Sequence, residues 1–524
     1  MTSALPSDHD SGVRLAELMA ALSMATDLGM GQPMEYAMMS CIVAVRLAEA
    51  TGLSDDDMRD AYYEALLRYI GCNADTYWLA SIVGDEIAFR TEIAPLDGAD
   101  NMRVVNLVLR SIWQANVGAD PARMAQAVAQ GFAQMPQVRS SFFAGHCEVA
   151  KGLATRLGFP ARFVATIGQI YARWDGKGVP ALKGDAISPA LLAASLAQDA
   201  VTFYRLGGID AALAMARERR GGAHSPHLVD TLCRNAAQLF AGLDDEPVWD
   251  SVLAIEPGAR RTLHEGEMDG ACEAIADFVD IKSPFFLNHS RRVGDLAAAT
   301  AQRYGLPDSD IRVLRRAALL HDIGKVGISA GIWGKRGPLT EREWDKVHLH
   351  PYYAERVLAR PESLAKVGSL AAMHHERIDG SGYYRKLSGA LLTPAARILA
   401  AANRYAALTE ERPHRPPASP DEAANALQRE VRAGRMDGDV VNALLAAAGH
   451  RVKAQYKAGV AGLSEREIEV LRLIARGYTM KQVAEALTIS TKTVDRHIQN
   501  IYAKIGVSTR AGATLFAMEN NLLA

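Results

Sequence analysis

The chain has 524 residues, of which 49% are hydrophobic and 23% charged, and its formal net charge at pH 7 is -2. This length exceeds what one hydrophobic core sustains, and the balanced charge excludes a strong electrostatic preference of the whole chain for any partner. Five scattered cysteines without a Cys-x-x-Cys pair, a polar N-terminus and the absence of a long apolar run predict a cytoplasmic protein without a disulfide framework, a signal peptide or a contact with membranes.

Residues 13–240 carry apolar side chains at helical spacing, interrupted by short turns rich in Gly, Pro and Asp. No alternating strand pattern stands out. Aromatic residues make up only 6% of the chain, which favours helices over sheet. We predict an all-α protein.

A long-range repeat relates the first part of the chain to the second. Shifting residues 36–72 by 253 positions places them on residues 289–325 without gaps, and 12 of the 37 pairs are then identical. A second shift, by 204 positions, places residues 146–180 on residues 350–384. Because the matches occur in order along the chain, we predict a duplicated domain. The two offsets differ by 49, so the first copy carries about that much extra chain between its halves.

Two segments are predicted to connect domains. Residues 241–265 form a mixed acidic, Pro- and Gly-containing stretch after the first copy, and residues 449–462 form a basic, Gly-containing stretch before the last domain. The predicted domains are residues 1–245, 246–455 and 456–524.

The second copy contains a set of candidate metal ligands with unusual spacing. The set comprises His289, His321, Asp322, His350, His374 and His375. A lone histidine on an apolar helix face is more often a core residue with one hydrogen bond, but here several histidines and a carboxylate occur in order. Imidazoles with a carboxylate suit iron, manganese or zinc, and a ring of such ligands from several helices can hold two cations bridged by water.

Lys325 follows His321 by four residues and shares its helical face if that helix continues. It is a candidate to neutralise a phosphate oxygen or to assist the leaving group, and the alternative is a surface lysine. The glycine-containing loop DGSGYY, residues 379–384, permits close approach of the backbone to a ligand. Arg412 is a candidate phosphate ligand or, alternatively, a helix cap.

The first copy lacks nearly all of these candidate ligands. At their positions it has Tyr36, Arg68, Tyr69, Ile170 and Tyr171, and Cys72 replaces Lys325. Only His146, which matches His350, is retained. A guanidinium and phenols cannot replace imidazoles and a carboxylate around a cation. The first copy is therefore predicted to be a metal-free sensory, dimerising or purely structural domain.

The second copy resembles the HD-GYP domain, a branch of the HD metal-dependent phosphohydrolases. The resemblance rests on His289, HDIGK (residues 321–325), His350–Pro351 and HHERIDGSGY (residues 374–383). It implies a helical bundle that hydrolyses cyclic di-GMP with a cofactor of two divalent transition-metal ions, iron or manganese, with zinc as an alternative. Carried over to this chain, the implied catalytic residues are Asp322 and Lys325. The implied metal ligands are the six residues above together with Asn403, and the implied substrate-binding residues are Lys325, Asp379, Gly380, Gly382, Tyr383, Arg385 and Arg412.

Two positions depart from the family pattern. The family segment ARILAVAD reads ARILAAAN here, so Asn403 occupies the place of a metal-binding aspartate, and Tyr384 replaces the proline of the GYP triplet. An asparagine offers one neutral oxygen in place of a charged carboxylate, so a cation at this position is expected to be held less tightly.

The C-terminal residues carry an independent helix-turn-helix pattern. Capping boxes begin at Ser464 and Thr479, and Ser490 caps a helix whose apolar stripe includes Val494 and Ile501. Between residues 478 and 512, five basic side chains outnumber two acidic ones, a local excess that favours phosphate. A solvated face on a small bundle is the alternative explanation.

The same segment resembles the LuxR-type DNA-binding domain through LSEREIEVLRLIARG, the S-x-K-T-V-x-x-H run and YAKIGVSTR. This resemblance implies a four-helix module that binds double-stranded DNA as a homodimer, with residues 492–497 in the major groove. The candidate DNA-binding residues are Lys481, Lys492, Thr493, Val494, Arg496, His497 and Lys504.

Three functional hypotheses remain at this point. The first is a metal-dependent phosphodiesterase for a cyclic dinucleotide, joined to a transcription regulator. The second is a regulator whose HD-GYP domain binds the nucleotide without turnover, as Asn403 and Tyr384 favour. The third is a phosphohydrolase for another nucleotide.

Overall fold

The computed structural model describes residues 12–118, 120, 122, 124–126, 128–129, 143–244, 247–451, 461, 463–520 and 522–523. These residues are overwhelmingly helical, which confirms the predicted all-α fold class. They form two compact units, residues 1–447 and residues 448–524. Among them, no helix combines the length and the apolar character that a membrane span requires.

The first unit contains both copies of the repeat. The helices of the first copy and the segment after it are α1 Leu15–Gly29, α2 Tyr36–Ala50, α3 Asp55–Leu67, α4 Thr76–Val83, α5 Glu86–Ile93, α6 Asn101–Ala115, α7 Phe143–Arg156, α8 Ala161–Ile167, α9 Pro189–Glu218, α10 Pro226–Leu239 and α11 Val248–Ala254. The helices of the second copy are α12 Glu265–Asp280, α13 His289–Tyr304, α14 Asp308–Leu320, α15 Ala330–Trp333, α16 Glu341–His348, α17 His350–Leu358, α18 Ala365–Ala371, α19 Pro394–Thr409, α20 Pro420–Arg432 and α21 Gly438–Ala447. Two short strands, β1 Val13–Arg14 and β2 Thr262–Leu263, pair antiparallel.

The helix boundaries confirm the predicted duplication. Adding 253 to the bounds of α3 gives the bounds of α14, and adding 204 to those of α8 gives those of α18. Each copy also has a 3₁₀ turn at the same place, Ile70–Asn73 and Ile323–Gly327. Within the extra chain of the first copy, the described residues form α4, α5 and α6.

The core of the first unit is continuous across the two copies. Helix α1 is buried over almost its whole length, and it packs against α2 and α3 of the first copy as well as the 3₁₀ turn and α17 of the second. A Cβ added to Gly29 at the end of α1 would lie 2.7 Å from Val326 Cγ1 of that turn. Close packing of this kind permits little independent movement of the two copies.

The prediction that residues 241–265 form a linker is wrong. This segment contains α11, where Val248, Trp249 and Val252 are buried against α2, and β2, which pairs with β1 near the start of the chain. Its prolines and glycine mark turns between packed elements. The second predicted connector, residues 449–462, lies for the most part outside the described residues.

The second unit is a bundle of four helices, as predicted. They are α22 Glu465–Ala475, α23 Met480–Leu487, α24 Thr491–Ile505 and α25 Arg510–Glu519. The predicted caps are present, because Ser464, Thr479 and Ser490 each accept a hydrogen bond from a backbone N–H in the first turn of the following helix. The bundle encloses a small core that includes Leu471, Val483 and Val494.

Candidate metal centre

The structure brings the predicted ligands of the second copy together in two adjacent groups. His289, His321 and Asp322 form one group, and His350, His374 and His375 form the other. Within each group the potential ligand atoms lie within 4.8 Å of one another. The six residues come from four separate segments of the chain, so the fold itself assembles the cluster.

Helix ends place these side chains. His289 and His350 are the first residues of α13 and α17, while His321 and Asp322 follow α14 directly. The 3₁₀ turn after Asp322 passes so close to α17 that a Cβ on Gly324 would lie 1.9 Å from the His350 carbonyl oxygen. Only a glycine permits this approach, so Gly324 of HDIGK allows the first ligand group to lie next to the second.

Backbone carbonyls fix the orientation of three imidazoles. His321, His350 and His374 each donate Nδ1–H to the carbonyl oxygen three residues earlier, over 2.7, 2.5 and 2.6 Å. This leaves a lone pair on every Nε2. The Nε2 atoms of His350 and His374 face each other at 3.0 Å, and the buried Nε2 of His321 has no hydrogen-bond partner. Facing lone pairs and an orphaned buried acceptor fit a cation between them.

Asp322 lies between the two groups. Its Oδ2 is 3.1 Å from His321 Nε2 and 3.6 Å from His289 Nε2. Its Oδ1 is 3.7 Å from His350 Nε2 and 3.6 Å from His374 Nε2, and this oxygen is buried without a hydrogen bond. One carboxylate thus offers a different oxygen to each group, and the donor set fits two bridged divalent cations.

Burial keeps four of the imidazoles neutral and ready to bind a cation. It lowers the pKa of His289 to about 4 and that of His350 to about 3, and it holds the pKa of His374 and His375 well below the usual range. Burial opposes the charged form of Asp322, but the His321 imidazole and the Lys325 ammonium outweigh it, so the pKa of this carboxyl lies well below its usual range. Neutral histidines and an ionised aspartate are the protonation states that metal binding requires.

Glu410 is a partner of this cluster that sequence reasoning missed. Its Oε2 accepts Nδ1–H of His289 over 2.7 Å, and it also pairs with Arg412 Nη2 at 2.8 Å. The carboxylate thereby fixes the tautomer that turns His289 Nε2 toward Asp322. No motif singles out Glu410, because it follows Asn403 by two helical turns in a stretch without repeated pattern.

Asn403 lies where the sequence predicts a metal ligand. Its side chain is buried, and Oδ1 is 3.1 Å from His289 Nε2. An amide can also turn its NH₂ group toward this lone pair, which a carboxylate cannot do. The position is therefore suited either to a weaker neutral ligand or to satisfying His289 without a cation.

Lys325 reaches the cluster by a route different from the predicted one. The condition for the prediction, a helix continuing past His321, is not met, because α14 ends at Leu320 and a 3₁₀ turn follows. This turn directs Nζ to Asp322 Oδ2, with the Phe286 ring centroid 4.3 Å away. Lys325 is nearly buried at the edge of the cluster, so the surface-lysine alternative is excluded.

A cavity of about 1120 Å³ opens onto the cluster. Gly382, Tyr383 and Arg412 line it, whereas Asp379, Gly380 and Arg385 do not. Asp379 instead holds the turn through Ser381, and Arg385 pairs with Glu355. The structure thus gives the predicted substrate contacts of these three residues no support.

Two arginines that sequence reasoning missed line the cavity instead. Arg377 and Arg404 lie on its wall near Tyr383, and among the described residues neither guanidinium has a hydrogen bond or an ion pair. Arg377 belongs to the HHER run, in which only the two histidines form a recognisable motif. Arg404 directly follows Asn403. Unpaired guanidinium groups beside a metal-ligand cluster are suited to phosphate.

Comparisons with known proteins agree with this geometry. A family model described as HD domain matches residues 273–440. Over 429 residues, the chain is 30% identical to 3'3'-cGAMP-specific phosphodiesterase 3 of Vibrio cholerae. The alignment covers 79% of this chain and 90% of the relative. The chain belongs to the HD-GYP family. The HD-GYP assignment extends over both copies, because the aligned length exceeds one copy.

A further relative and a solved structure agree with this assignment. The chain is 36% identical to the cyclic di-GMP phosphodiesterase response regulator RpfG of Xanthomonas campestris. This alignment covers 42% of the chain and 58% of RpfG. The crystal structure of a cyclic GMP-AMP specific phosphodiesterase of V. cholerae matches with a TM-score of 0.57 and 26% identity, over 85% of this chain and all of the other. HD-domain phosphodiesterases are metal-dependent, and the cluster supplies the donors for such a centre.

The first HD-GYP copy keeps the scaffold of this site but not its donors. Gly71 matches Gly324, and a Cβ there would lie 2.1 Å from the His146 carbonyl oxygen. His146 is bonded through Nδ1 to the Tyr171 hydroxyl at 2.7 Å. Within the described part of the chain, both candidate metal-binding groups lie in the second copy.

Beyond the loop the offset between the copies becomes 205, because Ser188–Pro189 and Thr393–Pro394 begin the equivalent helices α9 and α19. Gln198 therefore matches Asn403, and it donates to the hydroxyl of Tyr69, the counterpart of Asp322. The next residue, Asp199, matches Arg404, and its Oδ2 accepts hydrogen bonds from Arg219 at 2.6 Å and from His224 at 2.9 Å. Both copies thus have an amide where the family pattern has a metal-binding aspartate.

The second unit matches a family model described as bacterial regulatory proteins, luxR family, over residues 461–517. On α24, the helix predicted from the sequence to enter the major groove, Lys492 and Arg496 are exposed and Thr493 and His497 are half-buried. Lys481 is exposed on α23. The predicted contact of Val494 with DNA is wrong, because its side chain is fully buried in the core. Lys504 pairs with Glu467 over 2.6 Å, which leaves its charge balanced within the protein.

Proposed function

We propose that the second HD-GYP copy hydrolyses a cyclic dinucleotide at a centre of two divalent metal ions. The observation that carries this proposal is the position of Asp322, whose two oxygens face separate groups of imidazoles at the end of a large cavity. The proposed ligands are His289, His321, Asp322, His350, His374 and His375, with Asn403 as a weaker seventh. Mixed nitrogen and oxygen donors favour iron or manganese, and zinc is the alternative.

The residues around the cluster have separate tasks in this reaction. When bound, the two ions supply an activated water and positive charge for the phosphoester. Lys325 adds a cation beside Asp322, close to where the leaving oxygen gains charge. Arg377 and Arg404 bind the second phosphate of a cyclic dinucleotide, which a substrate with a single phosphate lacks. Hydrolysis of one phosphoester bond opens the ring and leaves a linear dinucleotide with one terminal phosphate.

The relatives act by name on cyclic di-GMP or on 3'3'-cGAMP, and we propose cyclic di-GMP as the substrate. The purified protein, reloaded with Fe²⁺ or Mn²⁺, is incubated with each dinucleotide, and products are separated by chromatography. We expect linear dinucleotide to form from cyclic di-GMP and to be absent with Asp322→Asn. Faster turnover of 3'3'-cGAMP would identify that dinucleotide as the substrate instead. Absence of turnover with either dinucleotide would contradict the proposed enzymatic activity.

A sensor without turnover is the second candidate, favoured by Asn403. Its amide is able to donate to His289 Nε2, which satisfies this imidazole without a metal ion. Under this alternative the protein binds a cyclic dinucleotide with measurable affinity by calorimetry, yet the dinucleotide is recovered intact after prolonged incubation with Mn²⁺.

We propose that the second unit binds double-stranded DNA as a homodimer in the cytoplasm. The luxR-family match and the exposed cationic residues of α24 support DNA binding. The exposed apolar side chains of Leu515 and Met518 on α25, 56% and 60% exposed, support a dimer through this helix. The division of the chain into residues 1–245, 246–455 and 456–524 stays part of this proposal.

Arg496 and Lys504 test the proposed orientation on DNA. Both lie on α24, but Lys504 is paired with Glu467, whereas Arg496 has no ion pair within the described part of the chain. We expect Arg496→Ala to weaken binding to a target duplex about tenfold or more, since a good arginine contact contributes about 1–3 kcal/mol. Lys504→Ala is the matched control and should change affinity much less. Equal losses in a gel-shift titration would contradict the assignment of the groove-facing side.

A further inference from the structure

A stack of aromatic rings leads away from the candidate metal centre along the wall of the catalytic cavity. The Tyr383 ring lies on the imidazole of the proposed ligand His375, with ring centroids 4.5 Å apart and planes inclined by 21°. The His348 ring follows at 4.2 Å from Tyr383, and the Trp344 indole at 5.6 Å from His348. All four residues, which we call the aromatic stack, line the cavity of about 1120 Å³.

Backbone contacts fix the inner part of the aromatic stack. The Tyr383 N–H donates to the His375 carbonyl over 3.3 Å. A Cβ on Gly382 would lie 2.5 Å from Glu376 Cα, so only a glycine permits this approach of the loop. The buried Glu376 carboxylate accepts the backbone N–H of Arg385 over 2.8 Å and so holds the other end of the loop. Rings that are already fixed in place lose little conformational entropy when a ligand binds to them.

Trp344 forms the outer end of the aromatic stack. It follows Glu343 on α16, and Glu343 fixes the start of this helix through a capping box with Thr340 and an ion pair of 2.6 Å with Lys335. The Trp344 side chain nevertheless stays 46% exposed, although it lines a cavity. Its indole therefore offers a large aromatic surface that a planar ligand can cover.

The first copy shows that the fold does not require these rings. With the offset of 204 positions, Ala144 stands at the place of His348. Val179 stands at the place of Tyr383 in the same way. The backbone is nevertheless equivalent, since the Val179 N–H donates to the Tyr171 carbonyl over 3.0 Å in the matching loop. The copy without the metal ligands thus also lacks the aromatic stack, which connects the stack with the ligand rather than with the scaffold.

We propose that Trp344 stacks on one base of the cyclic dinucleotide and gives the site a preference for purines. This inference rests on the function proposed above, in which the metal centre, Arg377 and Arg404 hold the two phosphates. Because the cationic part of the wall takes the phosphates, the aromatic part is left for a base. A purine has a larger π-face than a pyrimidine, so it gains more from stacking on an indole.

Calorimetric titration of the full-length, metal-free protein with cyclic di-GMP tests this contact without turnover. We expect Trp344→Ala to raise Kd about tenfold, the effect typical of removing a base–aromatic stack, and Trp344→Phe to restore most of the affinity. Trp113→Ala is the matched control and is expected to change nothing, because Trp113 is 61% exposed on α6 and does not line the cavity. His348→Ala introduces the residue that the first copy tolerates at this place, and it is expected to raise Kd severalfold.

Cyclic di-UMP in place of cyclic di-GMP tests the purine preference. The unmodified protein is expected to bind cyclic di-GMP more tightly, and the difference is expected to shrink in Trp344→Ala. An unchanged Kd or an unchanged preference in this variant would overturn the inference, as would the absence of binding at millimolar concentration.

Kinetics of the Mn²⁺-loaded protein separate this inference from the proposed function. We expect Trp344→Ala to raise KM for cyclic di-GMP about tenfold with little change in kcat, because the indole does not touch the reacting phosphate. Turnover with an unaltered KM would refute the stacking of a base on Trp344 and leave the enzyme intact. Binding that depends on Trp344 without any turnover would refute the enzyme and leave the stacking intact.

Discussion

The two HD-GYP copies show how the same backbone can be maintained by different residues. The second copy keeps five histidines and Asp322 around a candidate metal centre, but it has lost the family aspartate at Asn403. The first copy has lost the metal ligands and also has an amide at this position, that of Gln198, which donates to the Tyr69 hydroxyl. Gly71 and Gly324 are retained in both, since each permits the same close backbone contact. The scaffold thus depends on close packing, and the chemistry depends on donors that can be exchanged without changing the fold.

The paired arginines give a second view of this difference. Arg173 of the first copy is bound by Asp97, which comes from the extra chain, and by Asp175. Arg377, its counterpart, has no such partner within the described residues and faces a cavity. The extra chain of the first copy thus supplies an ion-pair partner to an arginine whose counterpart in the second copy faces a cavity.

The equivalent histidines His350 and His146 provide the strongest test of the comparison. We expect His350→Gln to remove most of the bound transition metal, because Nε2 of this residue faces both His374 and Asp322. His146→Gln, the same change in the first copy, is expected to leave the metal content unchanged. Elemental analysis of both purified variants measures the difference. Metal loss in both would mean that the first copy also holds an ion.

Restoring the family aspartate tests whether Asn403 weakens the centre. Asn403→Asp adds a charged oxygen beside His289 Nε2, and we expect metal affinity to increase about 10- to 100-fold, the range typical of changes close to a metal site. In the first copy, Asp199→Asn is expected to lower the free energy of unfolding by about 2 kcal/mol, since it weakens charged hydrogen bonds to Arg219 and His224. Competition with a chelator and chemical denaturation measure the two effects. An unchanged metal affinity in Asn403→Asp would remove position 403 from the centre.

His146 and His350 also allow the pH dependence of stability to be predicted. Burial lowers the pKa of His146 and of His350 to about 3, whereas an unfolded chain titrates near 6.5. Between these values the unfolded state binds more protons, so stability is complete above about pH 6.5 and falls as the pH is lowered. At about pH 5 the expected loss is about 2 kcal/mol for each histidine.

Thermal unfolding of the metal-free protein between about pH 7 and pH 5 measures this response. His146→Gln and His350→Gln are each expected to flatten the slope by a similar amount, because their environments are equally buried. A slope that only one variant changes would show that the two positions differ in the unfolded chain or in their hydration.

Arg377→Ala tests the difference between the paired arginines, and its expected effect is the smallest. The variant is expected to raise KM for a cyclic dinucleotide about tenfold with little change in the melting temperature, because one charged phosphate contact contributes about 1.5 kcal/mol. Arg173→Ala should show the opposite, a lower melting temperature with KM unchanged. Steady-state kinetics with scanning calorimetry separates the two outcomes.

Most of the fold and part of the site follow from the sequence. The helical spacing, the caps at Ser464 and Thr479 and the constant offsets of the repeat each report local structure, and the structure confirms them. The ligand cluster was predictable because its residues recur in short motifs. Glu410, Arg377 and Arg404 were not, since their importance comes from what lies opposite them in space. The prediction of a linker at residues 241–265 was wrong because Pro and Gly mark turns within a packed region as readily as they mark linkers.

The buried pair of Lys282 and Glu86 has a consequence for the history of this gene. Both side chains are completely buried, and they come from different copies. Deletion of the first copy would separate Lys282 from its carboxylate partner, and it would also expose the apolar surface of the second copy that α1 covers. A copy without catalytic donors is thus protected from loss by selection on its neighbour.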